Sequence, residues 1–171
     1  MEKTENLIKS EDLDLSFKYI VKNEPGGEGI MKCYACGTCT ASCPVRAIDE
    51  TFNPRRIIRM VLLGMKKEVL SSDFVWICST CYICQERCPQ DVSITELMGA
   101  LKNIAVKEGY IHPGFKAQIQ AIYSLGALYE IGEFENKKRE KMGLPKLTSQ
   151  RKEIEKIFEI TGLSKIAKEE E

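Results

Sequence analysis

All eight cysteines of this chain fall into two tetrads of identical spacing. Cys33, Cys36, Cys39 and Cys43 lie in CYACGTCTASCP, and 45 residues further on Cys78, Cys81, Cys84 and Cys88 lie in CSTCYICQERCP. Each copy reads C-x2-C-x2-C-x3-C-P, with Pro44 and Pro89 closing the runs. Three thiols on so short a loop can meet one compact object, while the fourth leaves the loop and reaches elsewhere. At 171 residues the chain allows one moderate domain, or a small domain with extensions.

Close cysteines serve as disulfides, zinc ligands or iron-sulfur ligands. A disulfide framework belongs to oxidising compartments, and nothing near the N-terminus suggests export. Zinc pairs two close cysteines with a distant pair, which leaves no role for the third and fourth thiols of each tetrad. The repeated spacing is that of ferredoxin-type 4Fe-4S proteins, in which the fourth cysteine ligates the other cluster. The predicted sets are therefore Cys33, Cys36, Cys39 and Cys88 for cluster 1, and Cys78, Cys81, Cys84 and Cys43 for cluster 2. Crossing makes the two segments one folding unit. Gly37 suits a loop whose backbone approaches sulfide closely. Two adjacent clusters form a one-electron relay, and no residue is assigned to catalysis.

Charge and hydropathy narrow the setting. Lys and Arg number 25 against 25 Asp and Glu, so no global field points to nucleic acid or an anionic membrane. The N-terminus lacks the basic start and apolar run of a secretory signal, and IIRMVLLGM is too short to span a bilayer. A soluble, cytoplasmic protein without membrane insertion is expected.

Helical patterns frame the cysteines. Asn53 can cap a helix opened by Pro54, with Ile57, Ile58, Val61, Leu62 and Met65 on its apolar face. Ser93 and Glu96 match a capping box ahead of Leu97, Leu101, Ile104 and Ala105. A leading helix is expected over Leu15 to Asn23, ended by Pro25, Gly26 and Gly27, and an amphipathic helix over Phe115 to Ile131. Beyond Gly132 lies a charged tail with KKREK and KEEE, in which Gln150 to Ile160 carries a stripe of Ile154, Ile157 and Phe158, with Leu163 beyond. The fold expected is all-α: an alpha-helical ferredoxin with two 4Fe-4S clusters plus a C-terminal helical extension. Its parts are a lead segment (1–28), the dicluster core (29–110), a packing helix (111–132) and a charged helical tail for partner docking (133–171).

The stretches CYACGTCTASCPV, NPRRIIRMVLLG and WICSTCYICQERCP resemble the C subunit of the cytosolic heterodisulfide reductase of methanogens. The resemblance covers roughly residues 15 to 130, and all eight cysteines match the family's cluster ligands. It implies an electron-transfer subunit of an oxidoreductase, in a hetero-oligomer with a flavin-bearing A subunit and a B subunit that reduces the coenzyme M-coenzyme B heterodisulfide. Hydrogenase or formate dehydrogenase modules are further candidate partners. The alternative is a free-standing dicluster ferredoxin, or the iron-sulfur subunit of another respiratory reductase. Succinate dehydrogenase-like subunits add a 2Fe-2S domain for which no cysteine remains, and no Cys-Cys pair exists for a Cys-Cys-Gly module.

Other residues have plainer readings. His112, the only histidine, sits in GYIHPGF and fits a turn better than a metal site, which would need partners. Trp76 fits core packing or shielding of a cluster. Arg55, Arg56, Arg59, Lys66 and Lys67 make a basic docking face or simply a solvated one. No phosphate-binding glycine loop or nucleophile-base constellation is present.

Overall fold

The computed structural model describes residues 8–147 and 152–168. Residues 1–7 of the lead segment, Gln150 and Glu169 to Glu171 lie outside the described residues. Among those described there are helices, turns and no strand, as the all-α expectation required. The chain divides into two compact units, Met1–Tyr110 and Ile111–Glu171.

The first unit opens with α1 (Phe17–Asn23), which begins two residues later than the sequence pattern suggested and leaves Leu15 exposed. The first cysteine motif runs into a single turn, α2 (Thr38–Ala41), and then α3 (Pro44–Ile48). Next comes α4 (Pro54–Leu62), capped by Asn53. Ile57, Ile58 and Val61 are buried on it as expected, and so is Met60. The apolar pattern continues to Met65, but the helix does not. Gly64 takes φ +83, a left-handed conformation that stops the helix, and Met65 precedes the separate turn α5 (Lys66–Leu70). A Cβ on Gly64 would lie 2.6 Å from the Asp14 carbonyl oxygen, so the lead segment crosses there at backbone contact.

The second motif forms α6 (Ile83–Glu86), followed by the longest helix, α7 (Ile94–Lys107). Leu97, Met98, Leu101, Ile104 and Ala105 of α7 share one buried cluster with Phe17 and Val21 of α1, Phe52, and Ile57, Ile58 and Val61 of α4. Each such Ile, Leu or Phe contributes about 1.5–3 kcal/mol on full burial. The predicted capping box at Ser93 does not form. Ser93 makes no side-chain cap bond, and the Glu96 carboxylate accepts a hydrogen bond from the Tyr82 hydroxyl at 3.1 Å instead.

In the second unit, α8 (Pro113–Leu125) opens on His112, whose Nδ1 accepts the Gly114 N–H at 3.1 Å. The apolar pattern to Ile131 overshoots, because Gly126 ends the helix with φ +69. The charged α9 (Glu133–Lys141) buries nothing. The last two helices, α10 (Lys152–Thr161) and α11 (Leu163–Lys168), both pack on α8. Phe158 is buried there against Tyr123, with ring centroids 5.3 Å apart, whereas Ile157 faces solvent. Among the described residues no helix is long and apolar enough to cross a membrane.

Candidate functional site

The two cysteine motifs fold alike. In the first, the left-handed residues are Ala35 (φ +63) and Gly37 (φ +89); in the second they are Thr80 (φ +51) and Tyr82 (φ +63), at the same two places after the leading cysteine. Each motif thus kinks twice between its first three thiols and then enters one helical turn, in which Thr40 and Ala41 donate to the Gly37 carbonyl and Gln85 and Glu86 to that of Tyr82. Only Gly37 advertises this conformation in the sequence. A β-branched threonine at positive φ is strained, and such strain persists where the surroundings over-determine it, commonly at binding sites.

The motifs meet through α2 and α6. Arg87, next to Cys88, donates from Nη1 to the Ser42 hydroxyl, next to Cys43, at 3.3 Å. Two cavities lie at this junction. One is lined by Cys43, Cys78, Cys81 and Cys84, backed by Val45, Phe52, Pro54, Thr95 and Met98. The other is lined by Cys33, Cys36, Cys39 and Cys88, with Gly37, Thr38, Arg55 and Val92. Both open to solvent on one side, where Cys36 and Cys81 are the exposed thiols. Ile94, the first residue of α7, lines both cavities and forms their common wall.

Cys43 lines the cavity of the second motif and Cys88 that of the first. Cys43 stands at the N-terminus of α3, where Pro44 fixes the first helical position. Cys88 leaves α6 and its Sγ accepts the Val92 N–H at 3.3 Å. In each case the closing Cys-Pro step carries the thiol out of its own loop.

The donor set fits an iron-sulfur cluster. No cysteine is in a disulfide, and among the described residues no three His, Cys, Asp or Glu side chains converge on a point suited to one metal ion. Four thiols spaced around an apolar-backed cavity suit a polynuclear group, whose thiolate ligands are what ferredoxin-type clusters require. The thiols differ among themselves. A hydrogen bond with the Thr38 hydroxyl, at 3.4 Å, holds Cys36 below the ordinary thiol range. Burial pushes the equivalent third cysteines, Cys39 and Cys84, upward.

Trp76 packs against the core and does not line either cavity. His112 serves as a helix cap in the second unit. Of the candidate basic face, Arg55 stands apart because it lines a cavity. The shared wall at Ile94 and the kinks at Ala35, Thr80 and Tyr82 went unread in the sequence; the matched offsets of the two motifs around Gly37 were the available signal.

A family profile described as a 4Fe-4S dicluster domain matches residues 28–92, which include all eight cysteines. The chain is 34% identical to the C subunit of the H(2):CoB-CoM heterodisulfide,ferredoxin reductase of Methanothermobacter thermautotrophicus, over 97% of this chain and 92% of that one. It is 37% identical to the C subunit of the ferredoxin:CoB-CoM heterodisulfide reductase of Methanosarcina mazei, over 85% and 89%. With the iron-sulfur C subunit of the CoB--CoM heterodisulfide reductase of Methanopyrus kandleri the identity is 32%, over 97% and 93%. Two thiol-lined cavities, the matching dicluster profile and near full-length identity to these relatives lead to one assignment: the chain belongs to the family of heterodisulfide reductase C subunits, the iron-sulfur electron-transfer component of an oxidoreductase.

Proposed function

We propose that this chain relays electrons inside a cytoplasmic heterodisulfide reductase complex, from a flavin-bearing A subunit to a B subunit that reduces the coenzyme M-coenzyme B heterodisulfide. Cys33, Cys36, Cys39 and Cys88 hold one 4Fe-4S cluster, and Cys78, Cys81, Cys84 and Cys43 hold the other. What supports the ligand map is the lining of the two cavities, each of which gathers three thiols of one motif and the fourth of its partner. The clusters, when bound, supply reversible one-electron transfer. The chain's own residues fix their separation through Ile94 and keep an apolar backing of Val45, Phe52 and Met98 behind one of them.

Disulfide cleavage takes two electrons and two protons and releases two thiols. With all eight cysteines committed as ligands, no thiol remains to attack a disulfide and no iron is left open for substrate. The chain therefore conducts, and the bond is broken on another polypeptide. Tyr34 and Tyr82, each directly after a ligand cysteine, are exposed beside the cavities and suit contact with electron-transfer partners. In the second unit Phe134 and Met142 are 77% and 66% exposed, which favours residues 133–171 as a docking element, with hydrogenase or formate dehydrogenase modules further upstream.

The test is to give the purified, cluster-loaded chain a strong one-electron donor and the heterodisulfide. Cluster reduction without thiol release is expected, with turnover appearing when the B subunit is added. Sustained thiol release by the chain alone would overturn the reading.

A further inference from the structure

We infer that Arg55 makes the cluster bound by Cys33, Cys36, Cys39 and Cys88 the higher-potential member of the pair, so that a single electron entering the chain rests there. The inference builds on the ligand sets proposed above, though its core concerns only the loop of Cys36 and Gly37.

The two cavities match in thiols and differ in charge. Arg55 is the one charged residue among the side chains that line either of them. Its Nη1, Cδ and Cζ lie 3.3, 3.7 and 3.8 Å from where a Cβ on Gly37 would stand, so the side chain lies flat along the cysteine loop. A Cβ at Gly37 would crowd the guanidinium. Its backbone is held too: the Arg55 N–H donates to the Thr40 hydroxyl at 3.1 Å, one residue beyond Cys39. None of the ion pairs among the described residues engages Arg55. A guanidinium stays protonated at every working pH, so its charge is constant.

Hydrogen bonding adds to the asymmetry. Around the Arg55 cavity, Cys36 Sγ lies 3.4 Å from the Thr38 hydroxyl and Cys88 Sγ accepts the Val92 N–H at 3.3 Å. Around the other, the corresponding contact is Cys84 Sγ to the Thr95 hydroxyl at 3.8 Å. Reduction places one electron, taken from a one-electron donor, on a group already anionic through its thiolates, with no bond made or broken in the protein. A fixed cation and sulfur-directed donors favour the more negative, reduced form. Other differences do not offset this. Each cavity has one exposed thiol, and the N-terminus of α4 serves both, through Pro54 on one side and Arg55 on the other.

The experiment is an anaerobic redox titration of the full chain, loaded with iron and sulfide and followed by electron paramagnetic resonance. Cys36→Ser and Cys81→Ser identify which signal belongs to which motif. The signal altered by Cys36→Ser should have the higher midpoint. Arg55→Gln should lower that midpoint by about the 59 mV that equals a tenfold loss in a one-electron reduction constant, and leave the Cys81-marked midpoint in place. Arg55→Lys should restore most of the shift, and Thr38→Val should give a smaller drop of the same sign. An unmoved midpoint in Arg55→Gln, or equal shifts of both signals, would overturn the assignment. A mistaken ligand map shows differently: Cys88→Ser would then disturb the Cys81-marked signal, while the Arg55→Gln shift stayed on the Cys36-marked one and upheld the role of Arg55.

Discussion

Removing the Asn53 side chain should loosen the first cluster loop, although Asn53 touches no thiol. Its Oδ1 accepts two hydrogen bonds, from the Arg56 N–H at 3.0 Å as the cap of α4 and from the Thr40 hydroxyl at 2.8 Å. The first is an N-cap bond, worth about 1 kcal/mol. The second joins α4 to the residue after the buried Cys39 and contributes about another 1 kcal/mol. Asn53→Ala should therefore cost about 2 kcal/mol, or roughly 30-fold in the opening equilibrium of the loop. Thr40→Val should cost about 1–2 kcal/mol, the shared bond plus the bond lost by the Arg55 N–H. Because the two residues share that bond, the double variant should fall short of the sum by at least about 0.5 kcal/mol. Asn53→Asp keeps the acceptor and should behave like the parent. The assay is anaerobic bleaching of the loaded chain by an iron chelator, read as a rate under conditions where opening limits loss. Strict additivity of Asn53→Ala and Thr40→Val, with each changing the rate less than threefold, would refute the reasoning.

Two glycines separate steric from conformational cost. A Cβ on Gly27 would stand 1.8 Å from the Val21 carbonyl oxygen, so Gly27→Ala must shift the backbone and should cost more than about 3 kcal/mol, whereas Gly109, at φ +84 with nothing within 4 Å, should cost only about 1–2 kcal/mol as alanine; equal midpoints in denaturant would contradict this. The Asp14 carboxylate is held below the usual range chiefly by the Ser16 hydroxyl, so its contribution is present above the ordinary aspartate pKa near 4 and lost as pH falls through the lowered value. Asp14→Asn should then lower the neutral plateau while leaving stability at the acid end unchanged, which flattens the acid limb; an unmoved plateau with the parent's acid limb would contradict this. Ending the chain at Tyr110, the boundary between the two units, should leave iron and sulfide content unchanged while weakening assembly with partner subunits, measured by anaerobic co-purification. Loss of clusters on that truncation would count against residues 111–171 acting in docking.

The parts of the site that the sequence disclosed are those in which one residue type performs one local task. Cysteine spacing marked the eight residues that line the two cavities, Asn53-Pro54 announced a helix start, and Gly37 announced a loop of close backbone approach, each through chemistry within a few residues. The capping box at Ser93 failed because Glu96 had a competitor 14 residues away in Tyr82, which no local pattern reveals. Two helices ended before their apolar stripes did, since Gly64 and Gly126 adopt positive φ and a stripe of side chains carries no information about backbone termination. Thr80 and Tyr82 were illegible for the opposite reason: neither residue type prefers the left-handed region, and only closure of the loop around its thiols puts them there. Ile94 reads in sequence as one more core residue of α7, and its place between the cavities depends on how α7 meets both motifs.

Exchange of the fourth thiols between the two motifs is tested most directly by Cys43→Ser against Cys88→Ser. Both variants of the full chain are loaded anaerobically and compared by resonance spectra with Cys36→Ser and Cys81→Ser as markers. Crossed ligation predicts that Cys88→Ser changes the signal marked by Cys36 and that Cys43→Ser changes the signal marked by Cys81, each leaving the other cluster's spectrum intact. Cys43→Ser acting on the Cys36-marked signal, and Cys88→Ser on the Cys81-marked one, would mean that each motif closes its own cluster, and the crossed architecture would be wrong.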